Sequence, residues 1–277
     1  MKLQGIFVDA TTPFDHTGAL YRVKIEHNIG KWNQTSVAGY VVGGYAGEGA
    51  MLSAEEKREL WRIAASSAAT EKTLIAGVDN AGVHEASRMV NHAAALGFKA
   101  ALLDPPQGDK WMARQANRLL FFRSVADRAN IPLVISNRTG LTLATIGALA
   151  AHPNVCGMVD DVGGRVGIAV LCGSELCLWT ALQNGASGAL LAFANSAPYA
   201  AIALWEAHRT REEEAGLDWQ SRIAPAAELI ETRFGIPGLK QAMDLNGYYG
   251  GPPRLPLTTT SPAEKLEIQQ AFADLKS

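Results

Sequence analysis

Short apolar segments alternate with longer amphipathic segments from the N-terminus to about residue 193. This alternation is typical of a parallel sheet assembled from strand–helix units. The pattern predicts strands at 5–10, 39–42, 73–77, 100–103, 133–135, 155–159, 168–172 and 188–193. Eight strands in this arrangement predict a closed (β/α)8 TIM barrel, which is an α/β fold.

The helices between these strands begin at recognisable positions. Ser53 precedes Ala54, Glu55 and Glu56, which predicts an N-cap followed by acidic residues in the first helical turn. Further helices are predicted over 83–96, 113–129, 198–214, 218–232, 237–245 and 262–275. We therefore expect a barrel over residues 1–197 and a helical C-terminal extension over 198–277, packed on the barrel as part of one structural domain.

The link between the sixth and seventh strands is unusually short. Residues 160–167 read Asp-Asp-Val-Gly-Gly-Arg-Val-Gly, which is eight residues with three glycines. A helical crossover between parallel strands normally needs at least about 10 residues. The sequence therefore predicts a truncated strand–helix unit after strand six, with the uncovered barrel wall packed against the C-terminal helices or a second copy of the chain.

Composition narrows the classes of partner. A formal charge of −2 argues against a nucleic-acid binder, and 48% apolar with 19% charged residues argues against disorder. No signal peptide or membrane span is visible in the sequence. The three cysteines lie at no metal-ligand spacing and are odd in number, so a reduced, cytoplasmic protein without a disulfide framework is predicted.

Active sites of such barrels lie at the C-terminal ends of the strands, so the residues that follow each strand are the most informative. The segment Gly43-Gly44-Tyr45-Ala46-Gly47-Glu48, followed by Leu52-Ser53-Ala54-Glu55-Glu56, resembles the "GTTGE…L…EE" signature of the dihydrodipicolinate synthase and N-acetylneuraminate lyase family. Further matches follow in the order of that family: Thr12-Pro13-Phe14, Gly77 with Asn80, Glu85 and Ala86, Asn137 with Thr139-Gly140, Gly185-Ala186 with Gly188, Asn195 with Pro198, Lys240, and Gly250-Gly251 with Arg254-Leu255-Pro256-Leu257. Several ordered motifs across residues 5–257 are stronger evidence than any one of them.

The resemblance implies a (β/α)8 barrel with a helical C-terminal region, usually assembled as a homotetramer. It also implies 2-oxo acid chemistry through a Schiff base on a lysine at the end of strand six, with a tyrosine after strand five assisting proton transfer. In this sequence the lysine motif "G-I-K-[DE]" matches Gly157-Met158-Val159-Asp160, so Val159 stands in place of the lysine. An isopropyl group cannot form an imine.

The other positions with catalytic roles in the family differ as well. Ser136 stands where the family has its tyrosine, and Tyr45-Ala46 replaces the two threonines. The "PYY" segment after strand four reads Pro105-Pro106-Gln107. Because the lysine, both phenols and the threonine relay change together, loss of Schiff-base lyase activity is predicted, and no catalytic residue is assigned.

Four residues are predicted to contact a substrate at the barrel mouth, namely Tyr45, Ala46, Arg138 and Asn195. The planar guanidinium of Arg138 is suited to bind a carboxylate, although a surface ion pair is an equal alternative. Tyr45 could fill the vacated space or take part in new acid–base chemistry, and filling is the simpler expectation.

Other chemically capable residues receive structural interpretations. Glu48 is expected to anchor its loop by accepting backbone hydrogen bonds, and Lys240 is expected to be structural. Lys110 could supply a substitute amine, but an exposed lysine is mostly protonated and is a poor nucleophile. Asp104, Asp160 and Asp161 could hold a divalent metal, yet no histidine lies at ligand spacing, so solvated or capping carboxylates and no metal are expected.

Three functions remain open at the level of sequence. The first is a family member without Schiff-base activity that binds a small carboxylate or 2-oxo acid, or that acts through protein contacts. The second is an active carbon–carbon lyase or aldolase that uses other residues. The third is a structural or regulatory partner of an active paralogue. A homo-oligomer with no cofactor, and with no nucleic-acid or membrane partner, is expected in each case.

Overall fold

Eight parallel strands form a closed barrel in this protein. The computed structural model describes residues 3–79, 82–108, 110–138, 140–161, 164 and 166–275. Neighbouring strands pair in chain order, and the first pairs with the eighth to close the sheet. The strands are β1 Gly5–Ala10, β2 Gly39–Val42, β3 Thr73–Val78, β4 Ala100–Leu103, β5 Leu133–Ser136, β6 Val155–Asp160, β7 Ala169–Cys172 and β8 Gly188–Leu191. The predicted fold class is therefore confirmed.

Helices surround the barrel and continue beyond it. Six of them lie between strands: α1 Arg22–Asn33, α2 Ala54–Ser67, α3 Val83–Ala95, α4 Gln115–Ala126, α5 Leu143–Ala150 and α6 Leu178–Gln183. The C-terminal helices are α7 Pro198–Thr210, α8 Glu213–Glu228, α9 Gly235–Leu245 and α10 Pro262–Ala271. In the described part of the chain, no helix is long and apolar enough to cross a bilayer.

The link from β6 to β7 agrees with the predicted truncation. Of its described residues, 161, 164 and 166–168, none is helical. Gly163, which belongs to the predicted irregular link, lies outside the described residues. Val166 and Ile168 pack partly buried against the main hydrophobic core, so the link itself covers part of the barrel wall.

Two C-terminal helices differ from their predicted bounds. The helix predicted over 198–214 ends at Thr210, because Arg211 adopts a left-handed conformation with φ of 63°. The helix predicted to start at residue 218 begins at Glu213 and contains Pro225. It continues into a π-helical turn, Leu229–Arg233. Such turns are rare and occur often at functional sites.

The barrel interior has an apolar base and a polar upper layer. One interior cluster takes a buried side chain from every strand: Phe7, Val41, Ile75, Leu102, Val134, Val159, Leu171 and Leu190. Side chains alternate between the two faces of a strand, so residues two positions later point into the same interior, nearer the C-terminal end. By this register Asp9, Asp104 and Ser136 lie above the apolar cluster.

The C-terminal helices cover the barrel and close against its loops. The rings of Phe193 and Phe272 stack at 5.6 Å between centroids. The Arg254 guanidinium donates to the Met51 carbonyl and to the Glu56 carboxylate, at 2.9 and 2.8 Å. These contacts fix the C-terminal segment over the loop that follows β2.

Candidate functional site

Two adjoining cavities lie at the C-terminal end of the barrel. The first has a volume of about 310 Å³ and the second about 240 Å³. Both are lined by Tyr45, Arg138 and Ile236. The first cavity also contains four acidic residues, which are Asp9, Asp161, Glu175 and Glu231. The second contains Glu48, Asp79 and Asp104. The mouth is therefore rich in carboxyl groups, and Arg138 is the cation that both cavities share.

Arg138 and Tyr45 stack on each other at the mouth. The guanidinium carbon of Arg138 lies 3.8 Å from the centre of the Tyr45 ring. A stacked guanidinium keeps its N–H edge available for a planar acceptor such as a carboxylate. In the described part of the chain no carboxylate lies within ion-pair distance of Arg138, so the alternative of a surface ion pair is not observed there. Tyr45 is 58% exposed and covers the entrance rather than filling the interior.

Asp9 is a buried carboxyl group at the base of the first cavity. Its Oδ2 accepts a hydrogen bond of 3.0 Å from the backbone N–H of Ala46. Its Oδ1 is buried and has no hydrogen-bond partner. Burial raises the pKa of Asp9 to about 6, and the charge of Arg138 opposes this rise. Asp9 is therefore poised to exchange a proton near neutral pH.

The valine predicted to replace the family's lysine lies in the barrel interior. Val159 is buried within the interior cluster. A Cβ on Gly173 would come within 2.8 Å of Val159 Cγ1, so the valine packs against a glycine of β7's C-terminal end. Ser136 is buried at the end of β5, and its hydroxyl opposes the rise in the pKa of Asp104 that burial causes. Neither residue supplies an amine or a phenol.

The amines near the mouth are engaged elsewhere. Lys240 and Glu48 form a fully buried ion pair of 2.6 Å. Lys240 Nζ also donates to the carbonyl of Thr12 at 3.0 Å. Glu48 Oε2 accepts the backbone N–H of Arg254 at 2.7 Å, in line with the predicted anchoring role. Lys240 thus has the structural role expected from the sequence, and its ion pair with Glu48 was not foreseen.

Two further lysines, Lys57 and Lys110, are also not placed to act as nucleophiles in the cavities. Lys57 forms a buried ion pair with Asp79. Lys110 is exposed, and its Nζ lies 5.6 Å from the centre of the Trp111 ring. No lysine is present in the described lining of either cavity.

A pair of glutamates joins the end of β7 to the π-helical turn. Glu231 Oε1 accepts the backbone N–H of Glu175 at 2.5 Å, and Glu231 Oε2 accepts the Ser174 hydroxyl at 2.7 Å. Glu175 is fully buried, and its Oε1 accepts the backbone N–H of Phe193. Burial and the adjacent Glu231 raise the pKa of Glu175 far above its ordinary range. A protonated Glu175 can therefore share its proton with the Glu231 carboxylate.

The three aspartates considered as metal ligands have separate environments. Asp160 Oδ2 accepts a hydrogen bond of 2.6 Å from Asn137 Nδ2. Asp161 lines the first cavity and Asp104 the second. Burial raises the pKa of both Asp104 and Asp161. Within the described ranges no group of three or more histidine, cysteine or acidic side chains is arranged to hold a metal ion.

Asn195 is placed differently from the other predicted substrate contacts. It is fully buried in the turn Phe193–Asn195, and it is not among the described residues that line the cavities. Its Oδ1 accepts the Thr11 N–H at 2.9 Å, and its Nδ2 donates to the Asp9 carbonyl at 2.7 Å. This placement gives Asn195 the role of joining β1 to the end of β8. Substrate contacts of Tyr45, Ala46 and Arg138 stay a prediction.

Sequence reasoning missed three acidic residues of the first cavity, which are Asp9, Glu175 and Glu231. For Asp9 a signal was available, since it lies two positions after Phe7 in an otherwise apolar strand and so must share the interior. Glu175 and Glu231 are 56 positions apart, and nothing in their local sequence indicates that they meet.

The chain is similar to known proteins over nearly its whole length. The profile of the Dihydrodipicolinate synthetase family matches residues 2–275. The chain is 28% identical over 295 aligned positions to a 4-hydroxy-tetrahydrodipicolinate synthase of an Exiguobacterium strain, covering 98% of this chain and 99% of that protein. It is 26% identical to an N-acetylneuraminate lyase of Rhizobium meliloti, covering 99% and 95% of the two chains.

The fold is also similar to solved structures. The dihydrodipicolinate synthase of Bacillus anthracis superposes with a TM-score of 0.93 at 20% identity, and all of both chains is covered. A monomeric variant of dihydrodipicolinate synthase gives a TM-score of 0.89 at 19% identity, covering 99% of this chain and 97% of the other.

Proposed function

Because the chain belongs to the Dihydrodipicolinate synthetase family, we propose that it binds a small carboxylate or 2-oxo acid at the barrel mouth without forming a Schiff base. The observation that carries this proposal is the position of Val159. It lies near the C-terminal end of β6, and its side chain is among the apolar side chains of the barrel interior. An imine with a ketone requires a free amine, and a valine side chain has none.

The remaining amines do not compensate for this loss. Lys240 is held by Glu48 and two backbone carbonyls, so it has no freedom to reach the first cavity. Lys57 is paired with Asp79 in a buried site. Lys110 is exposed to solvent outside the cavity lining, so it is not placed to attack a ligand bound there.

Arg138 is the proposed receptor for the carboxylate. It lines both cavities, and its stack on Tyr45 fixes the plane of the guanidinium. A carboxylate bound by two parallel N–H donors satisfies this geometry. The backbone N–H of Ala46 is already bonded to Asp9, so Ala46 contributes shape rather than a free donor.

The acidic residues of the first cavity set the conditions for binding. Ionised Asp9 and Asp161 repel a bound anion, whereas their protonated forms do not. The raised pKa values of both groups reduce that repulsion at mildly acidic pH. A ligand with hydroxyl groups or an ammonium group opposite its carboxylate would also fit these acceptors.

A second candidate function is proton transfer without an imine. Asp9 lines a cavity that also contains Arg138, its Oδ1 has no hydrogen-bond partner, and its pKa of about 6 suits a general base or acid near neutral pH. An active lyase or aldolase of this kind would use Asp9 in place of the missing tyrosine. Slow exchange of the methyl protons of pyruvate in deuterated buffer, lost in Asp9→Asn, would favour this alternative.

The test of the main proposal measures binding and imine formation separately. Thermal shifts with pyruvate and 2-oxobutyrate would be compared with those of methyl pyruvate, which lacks the charge. The control for the Arg138→Ala variant is Arg209→Ala, because Arg209 is an exposed arginine on α7. We expect the acids to stabilise the unchanged protein and Arg209→Ala, and Arg138→Ala to bind them about tenfold to a hundredfold more weakly.

Borohydride reduction in the presence of pyruvate should leave the intact mass unchanged. A stoichiometric adduct would overturn the absence of a Schiff base, and its position would identify the amine. Equal affinity of Arg138→Ala and the unchanged protein would overturn the role of Arg138.

We also propose a homo-oligomer. The supporting observation is a group of exposed apolar side chains around α4 and the start of α5, which are Trp111, Leu120 and Leu143. Exposed apolar patches often mark contact sites between proteins. Light scattering of Leu120→Glu and Leu143→Glu, compared with the unchanged protein, would test it, and a monomer in all three would contradict it.

A further inference from the structure

Two of the three cysteines lie side by side next to the first cavity. Cys172 is the last residue of β7, and Cys177 is the residue before α6. Their Sγ atoms are 3.9 Å apart. The third, Cys156, lies on β6, and its Sγ is hydrogen-bonded to the carbonyl of Leu133 at 3.4 Å. All three are free thiols, so Cys156 is a natural internal reference.

The two neighbouring thiols have different environments. Cys172 is fully buried, whereas Cys177 is partly exposed. In its neutral form Cys177 donates to the carbonyl of Asp161 at 2.7 Å. Cys172 lies 3.2 Å from the carbonyl of Ser174. One sulfur can therefore meet a solvent-borne reagent, and the other can be reached only from within the protein.

Contact with the Cys172 thiol favours ionisation of Cys177, whereas the bond that the neutral Cys177 thiol donates to the Asp161 carbonyl opposes it. The thiol of Cys172 lowers the pKa of Cys177, against the effect of burial. The same contact and burial raise the pKa of Cys172. Burial raises the pKa of Cys156 to about 11. A thiolate is the nucleophilic form of cysteine, so the accessible Cys177 is the thiol most readily oxidised at neutral pH.

We propose that Cys177 is an oxidation site for hydrogen peroxide and that Cys172 resolves the product as an intramolecular disulfide. The Cys177 thiolate attacks one peroxide oxygen, the O–O bond breaks, and sulfenic acid and hydroxide form. The Cys172 sulfur then attacks the sulfenic sulfur, its proton leaves with the hydroxyl group as water, and the S–S bond forms. Overall, two thiols and one peroxide give one disulfide and two waters.

The geometry permits this closure through a small rearrangement. A disulfide requires an S–S distance of about 2.05 Å, so the sulfurs must approach by roughly 2 Å. The intervening residues Ser174 and Glu175 are held by Glu231, so the approach must come from rotation of the two cysteine side chains. The neighbouring link from β6 to β7 has no helix in its described residues to oppose the movement.

Oxidation would act directly on the cavity described above. The segment between the two cysteines contains Gly173 and Glu175, which line the first cavity. Disulfide formation removes the Cys177 proton that is bonded to the carbonyl of Asp161, another lining residue. The proposal does not depend on the identity of any ligand.

The test uses the full-length protein and a small molar excess of hydrogen peroxide. Trypsin cleavage after Arg165 and Arg209 releases both cysteines in one peptide, 166–209, and leaves Cys156 in another. We expect the peptide to lose the mass of two hydrogen atoms, to resist alkylation, and to regain both thiols with dithiothreitol. Before oxidation, Cys177 should react with iodoacetamide at least about tenfold faster than Cys156 at neutral pH.

Three variants separate this mechanism from nonspecific oxidation. Cys156→Ser should form the disulfide as the unchanged protein does. Cys172→Ser should stop at a sulfenic acid that dimedone traps at residue 177, and Cys177→Ser should stay reduced. The proposal would be overturned if the unchanged protein oxidised to sulfinic acid without a disulfide. Equal peroxide reactivity of Cys156 and Cys177 would also overturn it.

Discussion

Replacing Asp9 with asparagine should stabilise this protein, although the residue lies at the candidate site. The carboxyl group is fully buried, its Oδ1 is unpaired, and its pKa is raised from 3.8 to about 6. The stability associated with the protonated carboxyl is fully present below pH 3.8 and is lost as the pH rises through about 6. Asp9→Asn keeps an acceptor for the Ala46 N–H and removes the charge.

The magnitude follows from the two pKa values. A rise from 3.8 to about 6 corresponds to about 3 kcal/mol at pH 8, because each pKa unit is worth about 1.4 kcal/mol. At pH 5 the folded protein is largely protonated at Asp9, and the same linkage gives about 1.5 kcal/mol. We therefore expect Asp9→Asn to raise the free energy of unfolding by about 2 to 3 kcal/mol at pH 8 and by clearly less at pH 5.

The assay is urea unfolding followed by circular dichroism at pH 8, 6.5 and 5. Asp274→Asn is the control, since Asp274 is an exposed carboxylate near the C-terminus. The midpoint should rise for Asp9→Asn with an unchanged slope, and the control should not move. A midpoint at pH 8 that is equal to or below that of the unchanged protein would refute the reasoning. So would a stabilisation that does not vary with pH.

Three further outcomes are expected. The affinity for a 2-oxo acid should increase as the pH falls from 8 to 6, by at most about tenfold per pH unit, because Asp9 gains a proton. Calorimetry measures this affinity, and the affinity for methyl pyruvate should show no such trend. Glu48→Gln should lower the free energy of unfolding by about 3 to 5 kcal/mol, because Lys240 loses its buried partner; an unchanged urea midpoint would contradict it. Val159→Lys should at most permit borohydride trapping of pyruvate, without turnover in a coupled lyase assay, because Ser136 cannot replace a phenolic acid. Substantial turnover would show that the barrel mouth is still organised for catalysis.

The sequence by itself determined the barrel and the absence of an amine at residue 159. Strands β1, β2 and β4 begin and end where the apolar runs predict, because each is a short buried run. The capping box at Ser53 and Glu56 marks the start of α2, since its donors and acceptors are close in the chain. The identity of residue 159 is likewise a local fact, and its chemistry needs no coordinates.

The bounds of strands and helices predicted from local sequence were less accurate where packing overrides propensity. The eighth strand was predicted over 188–193 but ends at Leu191, and the chain turns at Phe193–Asn195 where Asn195 bonds to β1. Pro225 lies inside α8, a position that sequence rules disfavour. At the end of β8 a contact with a distant segment decides the local conformation.

Only the tertiary structure decided which charges and thiols meet. Lys240 and Glu48 are far apart in the chain, as are Glu231 and Glu175, and each pair forms because the C-terminal helices close over the barrel mouth. Barrel closure also places Asp9 in the lining of the first cavity together with Arg138. Removal of water from the Asp9 carboxyl group there raises the pKa of Asp9. The sequence lists these groups, but their burial and proximity depend on how strands and helices pack. Those two quantities determine how the groups ionise and what they can bind.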